Sequence, residues 1–561
     1  MRRLYAFAVL VVLSAVTVAA QTWQPTWKLT VPAYLTRQDI NDMAIVKAGF
    51  DTDKDGLGEF ICAWTDADTN AVCMYESDGN DSYKLVWSWV IPVQGNSFCG
   101  IAVGDVNNNG VVDIAVSFPS IAATDNPNPL RVWFFEWNGV VGKNDYGIKD
   151  PGTGKFSYSG GYNFGVADNY DIRPYSLSIE DMDGDGKNEL VAGMRIEGAN
   201  TRSVYVVKVD GDFSGFYFCE LKWKYAASFS GSNYSTTTGD LDGDGKKEIY
   251  LFVWDKFTFR LFENVSDTSY AEHFAVNQWS AASNVDIGAL DAVRVDDVNG
   301  DGKREMYIAS TEPQNEIYII TGVTDVANLT PSNIKRLITL PKTSGGKFRS
   351  MWVADPDHNG KKDLMIGGET NGQIFDLEYK GTGDPADSTS WTVKVIFDIW
   401  TQAGAAASSI SPRLFYGSPG GDMDKDGKDE YVFINYSPDY TTWADDVPLW
   451  VIEMKSTTDV RTVSTEVPDH AGLAQNFPNP FNPSTTIPFS LTQRSKVRLE
   501  VFNVYGERVA TLLEGEREAG AYQANWTARV PSGTYFARLS VEQLDGASGA
   551  FTDTRKMIVL K

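Results

Sequence analysis

The chain has 561 residues, carries 74 acidic against 49 basic side chains and a net charge of −25, and is 42% hydrophobic and 12% aromatic. That length exceeds a single core and the apolar content excludes wholesale disorder, so two or more packed domains are expected. The negative balance argues against nucleic acid as a partner, and 50 glycines with many Asp-rich turns favour short strands over long helices.

In chain order, residues 1–20 read as a secretory signal peptide. Arg2 and Arg3 precede an apolar run from Leu4 to Val18, and small residues Val18, Ala19 and Ala20 offer a cleavage site before Gln21. No later stretch is long and apolar enough to cross a bilayer as a helix, so no transmembrane segment is expected after signal removal.

Residues 21–455 are organised by one loop that recurs seven times, with starts spaced roughly 55 to 75 residues apart. The copies are DTDKDGLGE from Asp51, DVNNNGVVD from Asp105, DMDGDGKNE from Asp181, DLDGDGKKE from Asp240, DVNGDGKRE from Asp297, DPDHNGKKD from Asp355 and DMDKDGKDE from Asp422. Oxygen-bearing side chains stand at positions 1, 3, 5 and 9. They are Asp51, Asp53, Asp55 and Glu59; Asp105, Asn107, Asn109 and Asp113; Asp181, Asp183, Asp185 and Glu189; Asp240, Asp242, Asp244 and Glu248; Asp297, Asn299, Asp301 and Glu305; Asp355, Asp357, Asn359 and Asp363; and Asp422, Asp424, Asp426 and Glu430. A hard cation such as Ca²⁺ takes six to eight oxygens, and Gly at position 6 permits the sharp turn that gathers them. Up to seven Ca²⁺ ions are expected. The Asp105 loop has the fewest carboxylates and is expected to be the weakest site. Position 12 is apolar or Cys in every copy, and strand-like runs flank each loop, so the unit is strand–loop–strand and not an EF-hand. Third and fourth strand-like runs follow in several units, which describes an all-β, seven-bladed propeller.

These loops resemble the FG-GAP and VCBS-type repeats of integrin α-subunit propellers and of many bacterial exoproteins, over roughly Asn41 to Lys455. The resemblance implies calcium between the first two strands of each blade and does not imply an enzyme.

Residues 456–472 read as a polar linker, and 473–561 as a small Ig-like β-sandwich with strand-like runs separated at Gly506, Gly520 and Gly533. This segment resembles the type A sorting domain of the type IX secretion system. The match lies in Asn476-Phe477-Pro478-Asn479-Pro480-Phe481-Asn482-Pro483, in Val504-Tyr505-Gly506, in Ser532-Gly533 with Tyr535, and in Lys556-Met557. It implies export by that machinery to the outside or outer surface of a Gram-negative, Bacteroidetes-like cell.

The three histidines, His273, His358 and His470, form no catalytic motif, and no nucleophile elbow, zinc-helix motif or phosphate loop is present. Three functions stay open: a binding or adhesion module, which the sequence favours, a polysaccharide-active lyase-like enzyme, and a structural surface-layer component. Recognition of an extracellular glycan or protein is expected on the face away from the calcium loops. There Asn169, Tyr170 and Arg173, Gln278 and Trp279, and Trp400 and Gln402 occupy connections between blades. Cys62 and Cys73 flank a turn symmetrically, as a disulfide or as two buried thiols, and Cys219 is expected to be free.

Overall fold

The computed structural model describes residues 23–29, 42–65, 70–91, 98–118, 130–163, 174–197, 201–224, 233–253, 258–266, 269–276, 286–287, 291–312, 315–341, 348–369, 371–436, 438, 442–443, 445–454, 460–464, 468, 470–528, 530–544 and 550–560. Residues 1–20, expected to be a signal peptide, and Asn169, Tyr170, Arg173, Gln278 and Trp279 lie outside them. The chain is all-β with one short α-helix, Ile399–Ala403, among the described residues. No described helix is long and apolar enough to cross a membrane.

The chain divides into two compact units. One lies within Met1–Glu76, Tyr83–Pro419 and Tyr431–Ile452, and the other within Ser77–Ser82, Gly420–Glu430 and Glu453–Lys561.

The first unit is built from sheets of four or five strands. In the first sheet, strands Asp42–Phe50, Glu59–Thr65, Asn70–Ser77 and Tyr83–Ile91 follow one another in space as in sequence. The same order recurs in the third sheet (Pro174–Glu180 to Phe216–Lys224), the fourth (Asn233–Gly239 to Ser269–Val276) and the sixth (Phe348–Ala354 to Trp391–Asp398). The fifth sheet adds a short leading strand, Asp286–Ile287. In the second, the outer strand Gly160–Tyr162 arrives only after the hairpin Ile148–Lys149/Phe156–Ser157, which accounts for the widest spacing between loops.

The second strand of a sheet is buried along its whole length, as in Glu59–Thr65 and Asp113–Ser117. Sheets stacked face to face bury both sides of their strands, so these read as unbroken apolar runs such as FICAW and IAVSF. First strands pack in succession: Asp42–Phe50 on Gly100–Gly104, then Pro174–Glu180, Asn233–Gly239, Val293–Asp296 and Phe348–Ala354. Close approach is set by glycine at Gly193 and Gly239, where an added Cβ would stand 2.0 Å from Thr236 and 2.6 Å from Val295 of the next sheet.

The series closes on itself as a β-propeller. The Leu414 N–H donates to the Gly368 carbonyl, joining the sixth sheet to the seventh, and the Ala48 N–H donates to Ser418 Oγ at 3.0 Å, joining the seventh to the first. The seventh sheet takes its outer strand from the chain's own beginning. Trp23–Lys28 lies beside Leu449–Met454, the Leu29 N–H donates to the Leu449 carbonyl, and Lys28 Nζ sits 4.4 Å from the Trp450 ring centroid. A second tie connects sheets that are not neighbours. Asp291 receives Lys47 Nζ at 3.2 Å and Arg294 at 2.9 Å, and Arg294 lies over Trp352.

Cys62 and Cys73 stand directly opposite one another, as the symmetric hairpin requires. Both are buried thiols, and burial, followed by Cys73 and Cys99, pushes the Cys62 thiol well up. The Cys219 side chain lies outside the description.

In the second unit, Val460–Ser464, Gly520–Thr527, Ser484–Leu491 and Gly472–Leu473 form one sheet, and Arg508–Arg517, Ser495–Phe502, Gly533–Gln543 and Ala550–Val559 form another. The stretch read as a linker therefore supplies a strand, because Val460, Thr462 and Val463 favour extended backbone. Strand Gly533–Gln543 alternates buried and half-buried residues, the period-two pattern of a sheet with one face on a core. Leu499, Ala537, Ile487 and Ala524 fill that core between the sheets.

The closing strand should carry much of the first unit's stability. Trp23 is 1% exposed, and Trp23→Ala should cost about 3–5 kcal/mol, read as a lower denaturation midpoint in urea. An unchanged midpoint would mean that Trp23–Lys28 is dispensable to closure.

Candidate cation-binding loops

Each loop joins the first and second strands of its sheet, and six of the seven are held by the same two hydrogen bonds, the sixth loop by the first of them alone. The Asp at position 1 accepts the N–H of Gly at position 6: Gly56 at 3.1 Å, Gly110 at 2.8 Å, Gly186 at 2.9 Å, Gly245 at 3.2 Å, Gly302 at 2.8 Å, Gly360 at 2.9 Å and Gly427 at 3.1 Å. The acid at position 9 accepts the N–H of position 2: Thr52 at 2.7 Å, Val106 at 3.0 Å, Met182 at 2.9 Å, Leu241 at 2.8 Å, Val298 at 3.4 Å and Met423 at 2.6 Å. The sixth loop has Pro356 at position 2, which has no N–H to give. The backbone turns left-handed at position 6 in all seven loops, and also at position 4, occupied by Lys54, Asn108, Gly184, Gly243, Gly300, His358 and Lys425. Only the position-6 requirement was readable as an invariant glycine.

This frame draws the expected oxygens together. In the fourth loop, oxygens of Asp240, Asp242, Asp244 and Glu248 lie within 4.8 Å of one another, as do those of Asp422, Asp424, Asp426 and Glu430 in the seventh. Asp51, Asp53 and Glu59 gather in the same way, and so do Asp181, Asp183 and Glu189. Oxygens bound at about 2.3–2.6 Å around one Ca²⁺ stand no more than about 5 Å apart, so these spans suit a single ion. In the second, fifth and sixth loops Asn107, Asn109, Asn299 and Asn359 replace carboxylates at positions 3 or 5.

The position-9 acids are buried, and in six of the seven loops one oxygen is left over. Glu59 Oε1, Asp113 Oδ1, Glu189 Oε1, Glu248 Oε1, Asp363 Oδ1 and Glu430 Oε1 are buried with no hydrogen-bond partner, as are Asp53 Oδ2 and Asp422 Oδ1. Burying an unpaired charged oxygen is costly, and the protein interior normally avoids it. Burial accordingly pushes the position-9 carboxyls up, Glu59, Glu189 and Glu305 to about 7, Asp113 and Glu248 to about 8, and Asp363 and Glu430 to about 10. Neighbouring Asp376 and Asp357 add to the shift at Asp363, and Asp424 adds to it at Glu430. A hard divalent cation relieves both the unpaired oxygen and the crowded charge, and an all-oxygen donor set fits one.

Acids on the third strands were not anticipated. Glu76 pairs in register with Glu59 and forms a second group with Asp53 and Asp55. Glu136 pairs with Asp113 and accepts from Asn109 Nδ2 at 2.5 Å and Asn107 Nδ2 at 3.1 Å. Glu378 pairs with Asp363 and accepts from Asn359 Nδ2 at 2.9 Å. The signal was present in the strand runs AVCMYE, VWFFE and IFDLE, each placing Glu at this register.

The loops of the first unit are also tied side to side. Position 8 reaches back to the preceding loop or strand, with Asn188 Nδ2 on the Asp105 carbonyl at 2.9 Å, Arg304 on the Asp240 carbonyl at 2.9 Å, Lys247 on Glu180 at 2.6 Å and Lys362 on Asp296 at 2.5 Å.

On the opposite face, where connections between sheets lie, Trp400 is described. Its indole N–H donates to the Asn371 carbonyl at 3.0 Å and its ring covers Gly372. The same face carries an aromatic group absent from the sequence expectation. Phe98 lies 5.4 Å from Phe415 and 5.1 Å from Tyr436, and Arg349, paired with Glu369, sits over Phe415.

Residues 51–116 and 181–251 match the FG-GAP-like repeat family. The chain carries FG-GAP-like repeats. No curated protein sequence matches it. Among solved structures, it is similar to a periplasmic gluconolactonase of Pseudomonas aeruginosa, with 11% identity, a TM-score of 0.38, and coverage of 63% of this chain and 83% of that one. It is also similar to an Agrocybe aegerita lectin specific for non-reducing terminal N-acetylglucosamine, at 14% identity, TM-score 0.39 and coverage of 64% and 81%. A third is a Bacillus licheniformis rhamnogalacturonan lyase, at 11% identity, TM-score 0.38 and coverage of 77% and 75%. Likenesses this distant carry no functional argument, so the chemistry rests on the FG-GAP loops themselves.

The buried acids make stability depend on pH with a definite sign. Their carboxyls titrate at about 7 to 10 when folded, against about 4 in an unfolded chain. The folded state therefore holds more protons in that window, and stability falls as pH rises. In chelator, the melting temperature should drop between about pH 5.5 and about pH 8.5. Saturating Ca²⁺ should flatten or reverse the trend. A chelated protein that grows more stable over this range would contradict the burial of these acids as the cause.

Proposed function

We propose that the protein is a secreted, calcium-loaded, seven-bladed FG-GAP propeller that acts as a binding module at the outer surface of a Gram-negative cell. Its blades are the seven sheets described above, and its Ig-like C-terminal sandwich is the export signal read by the type IX secretion machinery. The observation that carries the calcium reading is the buried oxygen of the position-9 acid that has no hydrogen-bond partner, present at Glu59, Asp113, Glu189, Glu248, Asp363 and Glu430.

Calcium gives the loop face a fixed shape, and the opposite face is left to recognition. Half-buried Phe98 and Tyr436, together with Trp400, offer ring surface there, which suits an extracellular glycan or peptide. The export reading is supported by the sandwich architecture of the second unit and by the exposure of Phe477 and Tyr505, 78% and 86%, within the segments that resemble a sorting domain.

Two arms of one experiment test this reading. The full chain and a chain truncated after Gly472 are expressed in a host with type IX secretion. The full chain should reach the surface, and the truncated one should remain folded in the periplasm. In both, chelation should lower the melting temperature, since an ion at about 100 times its Kd adds about 2.7 kcal/mol per site. Surface display of the truncated chain would overturn the export reading, and indifference to chelation would overturn the calcium reading.

A further inference from the structure

The third loop, DMDGDGKNE, has acids at all four ligand positions, so by charge count it should hold a cation as firmly as the fourth. Its surroundings differ in how many acids one base meets: Lys428 reaches Asp426 alone among the seventh loop's four acids and Arg304 reaches Asp240 alone in the fourth, whereas in the third loop Lys208 reaches several. Leu190 pairs with Val207 in the antiparallel sheet, which brings the next residue, Lys208, alongside Glu189. The equivalent register position holds Glu76 opposite Glu59, Glu136 opposite Asp113 and Glu378 opposite Asp363. Where those sheets add an acid to the loop, the third adds a base.

Lys208 Nζ lies 3.0 Å from Asp183 Oδ2, 3.5 Å from Glu189 Oε1 and 3.8 Å from Asp185 Oδ2. Three of the loop's four acids thus converge on one ammonium group, a compact point charge with three donors on a flexible stem. An ion bound by the same oxygens would have to displace that group and stand next to its charge.

We infer that Lys208 is a resident counter-ion that takes the place of a divalent cation in the third loop. The inference rests on the reading of the other loops as cation sites. The third loop is neutralised by the chain itself and keeps its shape without metal. It also anchors its neighbour, because Asn188 at its position 8 holds the Asp105 carbonyl of the second loop. The ring then has one metal-independent loop from which the fold of that face is maintained when calcium is scarce. The ranking of sites changes as well: the second loop gains Glu136, and the third loses its place among the strongest.

The test is a count of bound Ca²⁺ per full-length chain by equilibrium dialysis, with circular dichroism confirming the fold of each variant. Asp242→Asn, in the fourth loop, should lose one ion. Asp183→Asn, in the third, should lose none. Lys208→Gln should gain one ion, and in chelator should melt below the wild-type chain. Loss of an ion from Asp183→Asn, or no gain in Lys208→Gln, overturns the inference while leaving the other sites intact. If the wild-type chain and Lys208→Gln both bind no Ca²⁺, the reading of the loops falls and the inference falls with it. Should Lys208→Gln fail to fold, the comparison of Asp183→Asn with Asp242→Asn decides.

Discussion

A single carboxylate, repeated from sheet to sheet, organises this molecule. The acid at position 9 starts the second strand, is buried there, and spends one oxygen on the N–H of position 2. That bond folds the loop back on its own strand. It also leaves the second oxygen facing inward among other carboxylates with no donor to meet it. An arrangement of this kind is unfavourable for a protein alone and favourable for a protein with a hard cation. Glu189 Oε1 also lacks a hydrogen-bond partner, but there Lys208 Nζ stands 3.5 Å away.

From these loops the organisation spreads outward. Position 1 fixes the turn through the glycine N–H, and position 8 ties the third to sixth loops back to the preceding sheet. Beneath them the strands are buried on both faces, and glycines such as Gly193 and Gly239 let adjacent sheets approach. Closure depends on the chain's beginning returning to its end, with Trp23–Lys28 beside Leu449–Met454. A ring closed in this way holds the loop face and the connection face on its two sides.

Much of this was legible in the sequence because it is periodic. The 1-3-5-6-9 spacing gave the loops, and apolar runs such as FICAW and IAVSF gave the two-sided burial of the second strands. What escaped was long-range or short. The closing strand lies more than 400 residues from its partner, and WQPTWK has no regular alternation. Strand Val460–Ser464 is five residues inside a polar stretch. The role of third-strand residues depends on register across a turn, which fixes whether Glu76 or Lys208 meets the loop. The left-handed position 4 was hidden because Lys54, His358 and Lys425 hold a conformation usually left to glycine.

The central claim is that the leftover oxygen of the position-9 acid is a metal ligand. Long-wavelength anomalous diffraction from crystals grown in Ca²⁺ tests it most directly. The account predicts anomalous peaks at bonding distance, about 2.3–2.6 Å, from the Oε1 atoms of Glu59, Glu248 and Glu430, and none beside Glu189. Ordered water or a protonated carboxyl at the first three positions, with no anomalous signal, would contradict it.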